Sequence, residues 1–314
     1  MEDSSRPPVP GIGSPPTPPD FLSKSDPPWG GSVFLGPDGL RPVWRLAVYL
    51  GMAYFLAQLL GYFSRLLPPH GYRPLWEQMI AQFVLVLAVI LPALVLGPIE
   101  RRGFREFGLP LRNAFGKLFW TGAVWGLVAV TVLMSVMRGA HVFYFGHLAL
   151  HGAWVLKFAL YWGAFFLLVG FFEEFLFRGY SLFTAASAIG FWPGAVIASL
   201  IFGGVHLFNA GENMVGGLAA GAIGFFLCFT LRRTGSLWFA VGFHAAWDWG
   251  ESFLYSVPDS GSMSPGHLLS SSFQGPRWLT GGSVGPEGSV FVFVVVAVTW
   301  VVFGTVYRGR ASSY

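Results

Sequence analysis

Residues 153–180 read AWVLKFALYWGAFFLLVGFFEEFLFRGY, an apolar run with two adjacent carboxylates, Glu173 and Glu174, near its end. The run is long enough for an α-helix to cross the roughly 30 Å of hydrocarbon in a bilayer. A carboxylate at that depth costs on the order of 2.5 to 3.5 kcal/mol, so it is expected to have a polar partner. The stretch therefore predicts a membrane helix that borders a polar cavity.

The whole chain has the composition of an integral membrane protein. Of its 314 residues, 54% are hydrophobic and 11% are charged, which is more apolar surface than a soluble domain buries. We predict an all-α polytopic membrane protein with about eight transmembrane helices around an intramembrane polar cavity, or seven or nine if the short fifth span is misassigned. The predicted spans are 43–66, 78–99, 117–137, 153–177, 193–208, 215–231, 237–254 and 289–306.

Basic residues indicate the orientation of the chain in the membrane. They follow the second, sixth and eighth predicted spans, at Arg101, Arg102, Arg105, Arg112, Lys117, Arg232, Arg233, Arg308 and Arg310. By the positive-inside rule these loops are cytoplasmic, and eight spans then place both termini in the cytoplasm. The lipid bilayer is therefore a predicted partner. We expect no nucleic-acid partner, because membrane topology already explains where the basic residues lie.

Two polar segments accompany the transmembrane domain, which we predict at residues 41–314. Residues 1–40 contain 10 of the 22 prolines and predict a disordered cytoplasmic tail. That tail lacks the features of a signal peptide, so the first span itself is expected to direct insertion. Residues 255–288 are rich in glycine and serine, and we predict an external loop there.

Helical spacing separates the roles of the two glutamates. Neighbouring residues on a helix are about 100° apart, whereas residues four apart face each other. The sequence therefore assigns Glu174 to an ion pair with Arg178 and leaves Glu173 for chemistry. In the alternative interpretation, both glutamates lie at the cytoplasmic interface and are solvated by water.

Later spans supply further polar residues at the same spacing. His206 lies four residues after Phe202 in the fifth span, and His244 lies four before Asp248 in the seventh. We expect these side chains to converge with the glutamates on one pocket, where Asp248 would orient the imidazole of His244. Carboxylates and imidazoles sheltered from bulk water can activate a water molecule and stabilise the oxyanion that forms when it attacks a carbonyl.

Other chemistries lack their sequence signatures. HExxH is absent, and the single cysteine, Cys228, excludes an intramolecular disulfide or a cysteine cluster. Three histidines near the loop between the third and fourth spans fit no familiar zinc spacing: His141, His147 and His151. Gly217 and Gly221 form a GxxxG pattern, which predicts close packing against another helix.

Three motifs in this order resemble the CPBP family of intramembrane proteases: EExxxR at 173–178, FxxxH at 202–206 and HxxxD at 244–248. That family includes CAAX proteases, bacteriocin-processing enzymes, the Ras-converting endopeptidase and bacterial abortive-infection proteins. The resemblance covers residues 153–254, which would form the catalytic core. It implies a helical membrane domain with a conical cavity.

The resemblance also implies peptide hydrolysis by a glutamate-activated water. Glu173 would be the general base, and His206 would help to hold the water. His244 and Asp248 would occupy positions that stabilise the oxyanion, although many relatives carry asparagine at the last position and an ionised aspartate would repel an oxyanion. Glu174 matches the second family glutamate and completes the catalytic set. The supporting residues are Arg178 and Phe202.

The metal requirement is open at the level of sequence. Members of the family are commonly described as metalloproteases, which implies Zn²⁺. Glu173, His206 and His244 could supply three ligands with an open fourth position, and the same residues could instead hold water unaided. The resemblance implies a peptide or membrane-anchored protein as substrate, a bacterial plasma membrane as location, and a site that opens to the cytoplasm.

Two other functions are compatible with the same residues. A non-proteolytic membrane binding or immunity protein could retain the polar pocket for recognition alone. A proton-coupled transporter could use a glutamate–histidine relay, but the chain shows no repeated halves or paired broken helices.

The depths of Glu173 and His206 constrain the fourth helix. If that helix starts at residue 153, Glu173 lies about 30 Å along it and close to the cytoplasmic surface, whereas His206 is ~20 Å deep. At those depths the two side chains would not meet. They can meet if the fourth helix starts nearer residue 159 and continues through Phe183, or if the helices tilt strongly around a cavity. We expect the first.

Overall fold

The computed structural model describes residues 33–36, 39–65 and 75–308. The chain divides into two units, residues 1–41 and residues 42–314. In the first unit, strands β1 (Leu35–Gly36) and β2 (Gly39–Leu40) form an antiparallel hairpin. Most of the predicted N-terminal tail, including residues 1–32, lies outside the described residues.

The second unit is built from helices joined by short connections and by one longer polar segment. The helices are α1 (Pro42–Arg65), α2 (Leu75–Glu100), α3 (Lys117–Gly139), α4 (Ala153–Glu174), α5 (Leu182–Ile189), α6 (Phe191–His206), α7 (Met214–Thr234), α8 (Leu237–Trp249), α9 (Arg277–Thr280) and α10 (Val290–Val306). Strands β3 (Phe143–Tyr144) and β4 (Ser272–Phe273) pair antiparallel between two of the connections. The predicted all-α fold is confirmed.

Apolar helices of membrane-spanning length run through the second unit. Five stretches of the described residues are long and apolar enough to cross a membrane: 42–62, 75–100, 117–139, 153–189 and 214–234. Helices α6 and α10 are apolar but shorter, and α8 is extended by a π-helical segment, Gly250–Tyr255. Each of the eight predicted spans thus coincides with a helix, and the chain is a polytopic integral membrane protein.

The fourth span differs in one respect from its prediction. It starts at Ala153, so the expected start near residue 159 is wrong. The expected continuation past Phe183 is confirmed, because α4 runs through a π-helical segment, Phe175–Ser181, into α5 and ends only at Ile189. The combined helix is longer than a bilayer requires, which gives Glu173 a position well before its end.

A single glycine turn brings Glu173 and His206 to similar heights. Gly190 has a φ of +83°, which favours glycine, and it joins α5 directly to α6. Glu173 lies 17 residues before this turn and His206 lies 16 residues after it. The two side chains can therefore meet, and the conflict between their predicted depths disappears.

Glycines allow α3 and α8 to pack backbone to backbone. A Cβ atom at Gly122 or Gly126 would clash with the backbone oxygen of Phe239 or Phe243, respectively. Almost the whole of α8 is buried as a result. This helix carries His244 and Asp248, so the close contact holds two of the predicted site residues in a rigid part of the fold.

Helices α6 and α7 pack equally closely. A Cβ atom at Gly203 of α6 would clash with the backbone oxygen of Gly217 and would lie 3.1 Å from the Cα of Gly221. The close packing predicted from the GxxxG pattern is confirmed. It fixes α6, which carries His206, against the centre of the bundle.

Substitution of Gly126 by alanine tests the α3–α8 contact. The added methyl group would force the helices apart, so we expect a loss of about 1–3 kcal/mol in the free energy of unfolding. The measurement is the unfolding midpoint of the purified protein in detergent. Gly139→Ala is the matched control, because Gly139 lies on the same helix with open space around its Cα. Equal stability of the two variants would contradict the packing described here.

Candidate functional site

The predicted site residues line one cavity of about 270 Å³ between helices α4, α6, α7 and α8. Glu173, His206, His244 and Asp248 all contribute to its wall. They come from three helices and are up to 75 residues apart in sequence. The convergence expected from the sequence is therefore present in the fold.

Glu173 is the cavity carboxylate that faces both imidazoles. Its side chain is 21% exposed, and its Oε2 atom lies 3.6 Å from Nε2 of His244 and 4.0 Å from Nε2 of His206. Both separations exceed a direct hydrogen bond. Oε2 is therefore open to a third group, such as a water molecule or a metal ion, placed between the carboxylate and the two rings.

His206 has a defined tautomer. Its Nδ1 lies 2.8 Å from the backbone oxygen of Phe202, one helical turn earlier. A carbonyl oxygen can only accept a hydrogen bond, so Nδ1 carries the proton and donates it. In the neutral ring Nε2 then bears a lone pair, and this is the atom that faces Glu173.

His244 is oriented in the same way by Glu174. Its Nδ1 donates a hydrogen bond to Oε1 of Glu174 over 2.8 Å. Its Nε2 faces Oδ2 of Asp248 at 3.5 Å as well as Glu173. The sequence correctly places Asp248 on the same side of α8 as His244. The residue that fixes the tautomer is Glu174, because among the described residues it is the one that hydrogen-bonds to Nδ1.

Glu174 also forms the ion pair that its spacing predicts. Its Oε1 accepts a hydrogen bond from Nη1 of Arg178 over 2.7 Å, and both side chains are buried. The guanidinium lies 4.1 Å above the ring of Phe202, which in turn packs against His206. Gly224 leaves room for this arrangement, since a Cβ there would clash with the guanidinium. Arg178 and Phe202 thus help to position both histidines and do not act as reacting groups.

Comparison with known protein families finds a match for the segment that carries these residues. Residues 153–250, about a third of the chain, match the family described as Type II CAAX prenyl endopeptidase Rce1-like. We refer to this segment as the Rce1-like domain, after the family that it matches. The match confirms the resemblance expected from the three motifs and supports an endopeptidase of the CAAX-protease type at the level of the family. No curated protein matches the chain.

One wall of the cavity comes from residues beyond the Rce1-like domain. Asp259, Ser260 and Glu287 line it together with the motif residues. Burial, reinforced by the nearby Asp248 and Glu287, raises the pKa of Asp259 well above its ordinary value. Sequence reasoning missed these side chains, because a Gly/Ser-rich segment has no periodicity that indicates where its residues point.

The position of this wall bears on which side of the membrane the cavity faces. Asn209 and Ala210, which connect α6 to α7, also line the cavity, whereas Arg232 and Arg233 lie at the opposite end of α7. The segment after α8 was predicted to be external, and it forms part of the cavity wall. The cavity therefore lies towards the end of the bundle that the basic residues predict to be external, whereas a site open to the cytoplasm was expected.

The remaining histidines of the described residues lie away from the cavity of the Rce1-like domain. His147 contacts Ser270 through Nε2, and His267 contacts the backbone oxygen of Ser264. Neither these two nor His141 and His151 line the cavity.

Removal of Arg178 tests the buried ion pair of the Rce1-like domain. Arg178→Met would leave the Glu174 carboxylate with one charged partner fewer in a buried position, so we expect a loss of about 3–5 kcal/mol in the free energy of unfolding. Unfolding in detergent measures it. The control is Arg105→Met at an exposed position, which should change stability by less than about 0.5 kcal/mol. Equal effects of the two substitutions would show that Arg178 has no special structural role.

Proposed function

We propose that this protein is an intramembrane endopeptidase that hydrolyses a peptide bond with a water molecule activated by Glu173. The observation that carries the proposal is the position of Glu173 Oε2 at 3.6 and 4.0 Å from the Nε2 atoms of His244 and His206. The group lies in a cavity within an apolar helical bundle, where bulk water is limited. The Rce1-like family supports protease chemistry of this kind.

The first step is proton transfer from water to Glu173. A water hydrogen-bonded to Oε2 gives up its proton as its oxygen attacks the carbonyl carbon of the substrate. The lone pair on Nε2 of His206 can accept a hydrogen bond from the second O–H of the same water and so hold that water in position for the attack. A carbon–oxygen bond forms, and the carbonyl oxygen becomes an oxyanion.

The second step is collapse of the tetrahedral intermediate. His244 donates to the oxyanion when its Nε2 carries a proton, and Glu174 and Asp248 on either side of the ring balance the resulting charge. The carbon–nitrogen bond then breaks. Glu173 returns its proton to the leaving amine, so the carboxylate is regenerated and atoms and charge balance.

The donor types suit a catalytic zinc ion, although the ligand atoms of Glu173, His206 and His244 do not all lie within 4.8 Å of one another in this arrangement. Both histidines use Nδ1 for fixed hydrogen bonds, so both Nε2 atoms are available beside the Glu173 carboxylate, and Glu173, His206 and His244 would be the ligands. A zinc ion there would polarise the substrate carbonyl and make bound water more acidic. Loss of hydrolysis with 1,10-phenanthroline, restored by added Zn²⁺, would support this form of the enzyme.

The proposed setting is a bacterial plasma membrane with both termini in the cytoplasm. The basic residues that follow α2 and α7 support this orientation. The cavity wall formed by the segment after α8 would then lie towards the external side. A peptide or a membrane-anchored protein would reach the cavity from the bilayer or from that side, and the family description makes a lipidated peptide one form of such a substrate.

Substitution of Glu173 by glutamine tests the proposal. Glutamine keeps the size of the side chain but cannot take a proton from water, so cleavage of a quenched-fluorescent peptide library should fall by at least about 100-fold. His206→Ala should reduce cleavage as well, since it removes one contact to the water. The assay uses the purified protein in detergent.

Glu106→Gln is the control for the loss of a glutamate. Glu106 caps a short turn far from the cavity in sequence and is exposed to solvent, so this variant should cleave like the wild type. Equal cleavage by the wild type and Glu173→Gln would exclude Glu173 as the base. Lack of cleavage by the wild type across a broad library would favour the non-proteolytic binding or immunity role.

A further inference from the structure

A second group of carboxylates lies beside the catalytic cavity. It consists of Glu251, Asp259 and Glu287, and one oxygen atom from each lies within 4.8 Å of the others. Glu251 is in the π-helical extension of α8, while Asp259 and Glu287 lie near the two ends of the polar segment that follows. We name this group the carboxylate triad. All three residues lie outside the Rce1-like match at 153–250.

Two members of the triad have hydrogen-bond donors. Glu287 accepts from the indole nitrogen of Trp247 at 3.1 Å and from the Ser260 hydroxyl at 2.7 Å. Asp259 accepts from the Ser252 hydroxyl at 3.3 Å. These donors are neutral, so they orient the carboxylates without compensating their charge.

Glu251 has no such donor. Its side chain is fully buried, and neither of its carboxylate oxygens has a hydrogen-bond partner among the described residues. Within the same part of the chain, no lysine, arginine or histidine forms an ion pair with any member of the triad. An unpaired buried carboxylate is strongly unfavourable, and three together repel one another as well. The triad must therefore be neutralised, either by protons on its carboxylates or by a cation from outside the chain.

The chemistry of the donors indicates which cation it is. All donors are oxygen atoms, which hard divalent cations prefer, and two ligands on opposite sides of Ca²⁺ are about 4.6–5.2 Å apart, as the spacing of the triad allows. Mg²⁺ is usually held by only one or two carboxylates together with water. The hydroxyls of Ser252 and Ser260 add further oxygens close by.

We propose that Glu251, Asp259 and Glu287 bind a calcium ion that fastens the polar segment 259–287 to the end of α8. Asp259 and Glu287 are 28 residues apart, so one ion would close this long segment onto the helix. Asp259, Ser260 and Glu287 also form part of the cavity wall. The ion would thus hold that wall in place, and it takes no part in the hydrolytic step.

The test is a thermal-stability titration of the full-length protein in detergent after treatment with EGTA. Added CaCl₂ should raise the unfolding midpoint in a saturable manner, by about 5 °C or more at 100 times the dissociation constant. MgCl₂ at the same concentration should raise it less. No response to CaCl₂, or a larger response to MgCl₂, would overturn the calcium assignment.

Glu251→Gln should change stability relative to the wild type in opposite directions without and with calcium. A general effect of removing one charge would not reverse in this way. In EGTA this variant should be more stable than the wild type, because one repelling charge is gone. In CaCl₂ it should be less stable than the wild type, because a ligand is gone and affinity should fall at least about tenfold. A variant more stable than the wild type under both conditions would show that protons, not calcium, neutralise the triad.

Glu212→Gln is the matched control. Glu212 is a partly buried acidic residue near the cavity, and it accepts a hydrogen bond from the backbone nitrogen of Asn213. It is not a member of the triad, so its calcium response should equal that of the wild type. An equal loss of response in Glu212→Gln and Glu251→Gln would indicate diffuse attraction of cations and would overturn a specific site. Because the readout is stability, this result is independent of whether the protein cleaves peptides.

Discussion

The site depends on one buried carboxylate, that of Glu174. A single oxygen atom, Oε1, accepts hydrogen bonds from Arg178 on the same helix and from His244 on α8. The side chain has no exposed surface, so its charge must be met by these two partners. It thereby joins α4 to α8 and fixes which nitrogen of His244 faces Glu173.

Close helix packing makes this polar arrangement possible in an apolar bundle. Glycines let α3 press against α8 and let α6 press against α7, so the histidines are carried on helices that have little freedom to move. Phe202 connects the ion pair of Arg178 to His206, because Arg178 lies over its ring and His206 hydrogen-bonds to its backbone oxygen. Geometry at the cavity is therefore set by backbone contacts rather than by the polar side chains alone.

The electrostatics of the cavity differ from one end to the other. Around His244, carboxylates and imidazoles alternate, although Oε2 of Glu174 and Nε and Nη2 of Arg178 have no hydrogen-bond partner among the described residues. Towards the polar segment after α8, carboxylates predominate, and Glu251 lacks any partner among the described residues. Charge excess of this kind is not a consequence of the catalytic arrangement. It points to a separate need to neutralise the cavity wall, by protons or by a bound cation.

The sequence by itself determined the features that arise within one helix. Apolar length predicts the spans, and the spacing of four residues correctly pairs Glu174 with Arg178 and places Asp248 on the same side as His244. Only the tertiary structure decided that Glu174 holds His244 and that Gly190 brings Glu173 level with His206. The tertiary structure also decided that the carboxylate triad comes together, since its members come from distant parts of the chain. The physical reason is that helical periodicity fixes neighbours within a turn, whereas contacts between helices depend on how remote segments pack.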